Sequence, residues 1–103
     1  MTKSRYIAYG FITLGLVSLP IGALGYTGQK LAIKAKVTID EARAIALKAR
    51  PGTITDEELE KEKGGSGLRD SFDVKSGNVT YEVGVDAQTG KVLENSKEGR
   101  HPD

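Results

Sequence analysis

The sequence contains no cysteine. A disulfide framework, a thiol nucleophile and a cysteine-ligated metal site are thereby excluded. Histidine occurs once, as His101, two residues from the C-terminus. A histidine-based catalytic dyad inside a folded core is therefore unavailable. Neither sign of charge is in excess: 15 Lys and Arg stand against 14 Asp and Glu, a formal net charge of +1. That balance lacks the basic field on which nucleic-acid binders depend. Composition points to a protein that is not an enzyme and that carries no cofactor. A chain of 103 residues can form one small domain with an extension, but not two cored domains.

The charge that exists is unevenly placed. Tyr6 to Gln29 is a run of 24 residues without a charged side chain. Residues beyond 25 hold 13 basic and 14 acidic groups. Lys3 and Arg5 precede the apolar run Ile7 to Leu19, and Pro20 and Gly22 then break it. Ala23-Leu24-Gly25 places small residues at the two positions that a signal peptidase reads, which predicts a cut before Tyr26. The competing reading is an uncleaved anchor. Tyr6 to Leu24 is 19 residues, and about 20 span a bilayer, with Tyr6, Tyr9 and Tyr26 near the interfaces. Residues 1–25 are thus a signal peptide or membrane anchor. Both readings put the rest of the chain outside the cytoplasmic membrane, in the periplasm or cell envelope or secreted. Residues 26–36, with Gly28 and three lysines, read as a linker that demands no fixed fold.

From Thr38 the character changes. Thr38-Ile39-Asp40-Glu41 is a capping box, with Asp40 and Glu41 also favouring the positive end of a helix. Ala42, Ile45, Ala46 and Ala49 fall on one apolar face, and Pro51-Gly52 ends the helix. A helix of about three turns must draw its stability from packing that face onto another element. Leu68, Phe72 and Val74 share one parity; Val79, Tyr81, Val83 and Val85 share another run of alternation. Lys75 to Asn78 and Asp86 to Gly90 are turns between them, with Asp86 accepting local amides and Gly90 taking a positive φ. Lys91 to Glu94 returns as a short strand, completing a meander with one apolar face for the helix. Thr53 to Lys63 is ambiguous by pattern. Its composition favours helix, yet only Ile54 and Leu59 are large and apolar, and a charged edge strand is the alternative.

Residues Thr38 to Leu93, about 56 of the 103, resemble the PepSY domain family. The resemblance is carried by Thr38-Ile39-Asp40-Glu41-Ala42, Ala46-Leu47-Lys48-Ala49, Pro51-Gly52 and Glu58-Leu59-Glu60. Its most specific part is Tyr81-Glu82-Val83-Gly84-Val85-Asp86 followed by Thr89-Gly90-Lys91-Val92-Leu93. It implies an α+β domain over residues 37–96: one helix on an antiparallel sheet of about four strands, with Thr53 to Lys63 as a strand. It also implies an extracytoplasmic location and no catalytic residues. Members occur in propeptides of secreted metallopeptidases, where they hold the enzyme inactive or limit it. Residues 97–103, with His101, are expected to be a flexible tail.

One position departs from the family. Asp70 lies between Leu68 and Phe72 on the inward face, where relatives often carry an apolar or aromatic residue. A lone buried carboxylate is unfavourable unless hydrogen-bonded. Asp70 is therefore expected at the rim, reaching water or a basic neighbour, with a partner-reading or pH-sensing role as the alternative. The acidic run Asp56, Glu57, Glu58, Glu60 and Glu62 is expected to be a solvated edge, although it could attract a cation or a basic partner. Gly64-Gly65-Ser66-Gly67 lacks the Lys and Ser/Thr of a phosphate loop and reads as a flexible connection. Ser66, Ser71 and Ser76 have no base to activate them. No metal site is expected. The function expected is an exported, non-catalytic module that modulates or inhibits a secreted or envelope peptidase by docking a sheet edge against it. The candidate contact residues are Glu57, Leu59, Asp70 and Tyr81. The alternative is an anchored structural or sensory domain of the envelope with no peptidase target.

Overall fold

The computed structural model describes residues 25–99. The proposed signal or anchor segment and His101 lie outside the described residues. Among the described residues no helix is long and apolar enough to cross a membrane.

The capping box forms as the residues dictate. The Glu41 amide donates to Thr38 Oγ1 at 3.1 Å, and the Thr38 amide donates to Glu41 Oε1 at 2.9 Å. From this cap, α1 runs Ile39–Ala49 and buries Ala42 and Ala46. The short alanine side chains let the helix backbone lie close to the sheet. Four strands follow: β1 (Thr53–Lys61), β2 (Leu68–Ser76), β3 (Val79–Asp86) and β4 (Val92–Lys97). They pair antiparallel in the order β1-β2-β3-β4. The fold is thus α+β, one helix packed on a four-stranded antiparallel sheet. The β2–β3 turn is tighter than Lys75 to Asn78, because Ser76 already pairs with Val79. At the other end of the meander, β4 reaches Lys97, and the Glu98 amide donates to the Thr80 carbonyl at 2.8 Å. The first part of the expected tail is therefore held by the sheet.

β1 contains a bulge between Ile54 and Asp56. Ile54 and Leu59 are five residues apart and would point to opposite faces of a regular strand. One extra residue shifts the parity, so both pack inward. A second irregularity between Gly84 and Val85 offsets β4.

The inward face of the sheet is divided in two. Under α1, Phe72, Val74, Val83 and Val85 pack with Ala42 and Ala46, flanked by Ile45 and Ile54. Beyond the helix, Leu59, Leu68 and Ala87 form a second cluster covered by Tyr26, Leu31 and Ala35. The segment expected to be a linker is thus a strap across the sheet. It contains a 3-10 helix, Gln29–Lys34. Thr27 bridges Glu58 in parallel, and the Leu59 amide donates to the Thr27 carbonyl at 2.9 Å. The far end of the strap is pinned where the Lys36 and Val37 amides donate to the Ala87 carbonyl at 3.0 and 2.9 Å. The physical reason is unburied apolar surface: an 11-residue helix is about 16 Å long and leaves Leu59 and Leu68 uncovered.

The connection Gly64 to Gly67 is likewise held. Asp86 is buried and accepts from the Ser66 amide at 2.7 Å, the Ser66 hydroxyl at 2.7 Å, the Gln88 amide at 2.8 Å and the Thr89 amide at 3.2 Å. One carboxylate thereby closes the β1–β2 and β3–β4 connections together. A Cβ on Gly65 would collide with this carboxylate. Burial opposes the charge on Asp86, but these donors outweigh it and hold its pKa at about 2. Asp86→Ala leaves four donors without their acceptor, and a loss of about 2–4 kcal/mol in denaturant unfolding is expected. Because the folded pKa is depressed, this contribution is complete above the unfolded value of about 4. It is lost as pH falls toward 2, so the gap between parent and variant should narrow over that range.

Candidate functional site

Three of the four candidate contact residues come together and one does not. In the pairing of β1 with β2, Leu59 lies opposite Asp70 and Glu57 opposite Phe72. All three candidates point inward, with Leu59 and Asp70 each 2% exposed and Glu57 4% exposed. Tyr81 sits near the other end of the sheet, opposite Val74 and Lys97. Its ring is covered by the Arg50 guanidinium at 3.8 Å from the centroid, and Arg50 Nε donates to Asn95 Oδ1 at 3.1 Å. With residues 26–36 in place, Glu57, Leu59 and Asp70 are buried, whereas Tyr81 is only partly so.

Glu57 is buried as half of an ion pair. Arg43 from α1 donates from Nε to Glu57 Oε1 at 2.7 Å and from its terminal nitrogen to Oε2 at 3.0 Å. Its other terminal nitrogen donates to Asp40 at 2.6 Å. This is the bidentate fork geometry in which Arg best satisfies a desolvated carboxylate. The hydrogen bonds to Glu57 raise the Arg43 pKa further, against the opposing effect of burial. Sequence spacing could not reveal the pair. Arg43 and Glu57 are 14 residues apart on different elements, and Glu57 shares the inward face of β1 with Leu59.

Asp70 is the unsatisfied member. It is not at the rim, and its basic neighbour is already committed to Glu57 and Asp40. Among the described residues its Oδ2 is buried without a hydrogen-bond partner. Burial, then the adjacent Glu57 charge, push its pKa up to about 7, with Arg43 opposing. The Tyr26 phenol of the strap shares this environment: burial first, then the Asp70 charge, raise its pKa. Asp70 therefore stands at the seam between the helix-covered and strap-covered clusters.

The outer face of the sheet, opposite α1, is open and acidic. A surface cavity of about 430 Å³ there is lined by Asp56, Glu58 and Glu60 of β1, Asp73 of β2, Glu82 of β3 and Glu94 of β4, with Glu62 and Glu98 beside them. Burial and mutual repulsion raise the pKa of Glu58, Asp73 and Glu82. Asp73, Glu82 and Glu98 can bring one oxygen each within 4.8 Å of the others. Hard cations prefer six or more oxygens, and three carboxylates do not make such a cage. Arg69 crosses this face, 3.7 Å from Glu94, and a Cβ on Gly84 would press on its side chain. Part of the acidic run is thus a solvated face, as expected; Glu57 is the exception.

The Asp70 environment sets a pH dependence. Its folded pKa lies above the ordinary carboxylate value, so the protonated form favours the fold. That contribution is fully present below about pH 4 and is lost as pH rises to about 7. Asp70→Asn removes the penalty. Thermal or denaturant unfolding should find the variant more stable at pH 7 by on the order of 2–4 kcal/mol, with the difference vanishing below about pH 4. Equal stabilities at pH 7 would show that Asp70 is not strained.

The family model PepSY, described as peptidase propeptide and YPEB domain, matches residues 36–95. No curated protein and no solved structure matches the chain. The matched residues enclose α1 and all four strands except the last two residues of β4. PepSY domains are generally non-catalytic modules associated with peptidase regulation, and typically lie outside the cytoplasm. On the strength of a match that takes in the helix and the sheet, the chain belongs to the PepSY family.

Proposed function

We propose that this protein is an exported, non-catalytic module that modulates a secreted or envelope peptidase by protein–protein contact, most simply as an inhibitor. The observation that carries this reading is the PepSY match across the folded domain. Supporting it, the open sheet face offers a partner a wide acidic surface. A peptidase surface rich in Lys and Arg fits such a face, where charge complementarity speeds encounter and fixes orientation.

The docking expected at a sheet edge is narrowed by the strap. At Leu59 the outer edge of β1 is already bonded to Thr27, so strand addition there requires residues 26–28 to leave. The acidic face stays accessible with the strap in place. The sequence also supports an anchored module, because the uncharged run ends at Gln29 inside the strap. In that case the target would be fixed near the membrane.

Capture from envelope extract with the full chain as bait, followed by peptidase assays on the captured material, tests the reading. A peptidase should be recovered, its activity should fall on titration with the protein, and Glu58→Lys with Glu60→Lys should weaken capture at least tenfold at low salt. Recovery of no peptidase, with no change in the activity of envelope peptidases, would overturn it.

A further inference from the structure

The strap, the unpaired carboxylate beneath it and the strand edge it covers form one unit. Strap residue Tyr26 packs against the cluster of Leu59, Leu68 and Ala87, and Leu59 lies directly across from Asp70. Gly28 lies so close to the Leu59 carbonyl oxygen that any Cβ there would overlap it, and its φ is 81°. The Leu59 amide, which points out of the sheet edge, is occupied by Thr27. With the strap seated, Asp70 is 2% exposed and, among the described residues, its Oδ2 has no donor.

We propose that residues 25–36 are a proton-governed cover: protonation of Asp70 seats the strap on β1, and ionisation of Asp70 releases it, opening the Leu59 edge and the Leu59, Leu68 and Ala87 surface.

The charged groups that face Asp70 come from three elements. From β1 there is Glu57, whose charge repels an ionised Asp70. From α1 there is Arg43, which attracts it but is held bidentate by Glu57 and by Asp40 in turn. From the strap there is the Tyr26 phenol. On β3 the residue opposite Asp70 is Val85, which offers no charge. An ionised Asp70 thus faces one full repulsion, a cation already engaged twice and, among the described residues, no hydrogen-bond partner for its Oδ2. Lifting the strap admits water, which is the cheapest way to solvate the charge. The elevated pKa of Asp70 in the seated state, about 7, agrees with this geometry.

The sign follows from linkage. With the strap open, Asp70 has an ordinary carboxylate pKa near 4. Between about pH 4 and 7 the seated form retains a proton that the open form has lost, so seating weakens by up to about tenfold per pH unit and levels off above 7. The device stands or falls independently of the peptidase reading, since it concerns how the chain covers itself.

Hydrogen exchange on the full chain reads it directly, because the Leu59 amide reports the strap and the amides of β3 report the whole fold. Protection of Leu59 relative to its intrinsic rate should fall at least tenfold between pH 4.5 and 7.5. At pH 7.5 it should lie well below that of β3, marking a local opening. Asp70→Asn should keep Leu59 protected at pH 7.5. Gly28→Ala, which unseats the strap sterically, should leave Leu59 unprotected at both pH values while β3 stays protected. Leu59 protection that does not change with pH, or that equals β3 protection throughout, or that keeps its pH dependence in Asp70→Asn, would overturn the proposal.

Discussion

A sheet with one apolar face needs a cover, and α1 is too short to cover all of it. The rest of the structure depends on that shortfall. Four strands present a continuous inward face from Val74 to Leu68 along β2, and an 11-residue helix spans only the Phe72 and Val74 end. The remaining apolar surface draws in residues from before the helix, which is why a lysine-containing segment with little hydrophobicity is ordered at all. The seam between the two covers is where polar groups enter the interior: Glu57 with Arg43, and Asp70, whose Oδ2 has no hydrogen-bond partner among the described residues.

The two buried acids resolve the same problem differently. Asp86 receives two amides from its own turn and two donors from Ser66, so its charge is better solvated inside than out. Asp70 sits on a strand whose amides are committed to the sheet, and the cation that favours its charge, Arg43, is taken by Glu57. Burial alone therefore does not fix the behaviour of a carboxylate. What decides is whether free donors converge on it, and loops supply free amides where ladders do not.

The legible parts of the fold were those written in local periodicity and local chemistry. Thr38 to Glu41 announced the helix start, Ala42 and Ala46 its buried stripe, and Tyr81 to Val85 the alternation of a half-buried strand. The Asp86 turn could be read from its own residues, although its hold on Ser66, 20 residues away, could not. β1 was ambiguous because its bulge breaks the period-two pattern, so Ile54 and Leu59 cannot be assigned to one face from sequence alone. Family resemblance supplied the strand, but not the bulge. The strap escaped notice since its contacts are non-local and its own composition is that of a connection. Asp70 was marked correctly as out of place among Leu68 and Phe72. Its surroundings were not legible, because Arg43 and Glu57 meet only in three dimensions, and the cover of residues 26–36 over this part of the sheet has no local signature.

Having one carboxylate terminate two connections also governs how the domain can vary. Ser66 and Thr89 must keep their spacing from Asp86, so the loop between β1 and β2 and the turn between β3 and β4 tolerate little change in length, alone or together. The opposite end of the sheet carries no such tie: a Cβ on Gly77 would meet nothing within 4 Å. Inserted residues, an affinity tag or a fluorescent reporter belong in the Gly77-Asn78 turn, where the chain reverses without holding anything else in place.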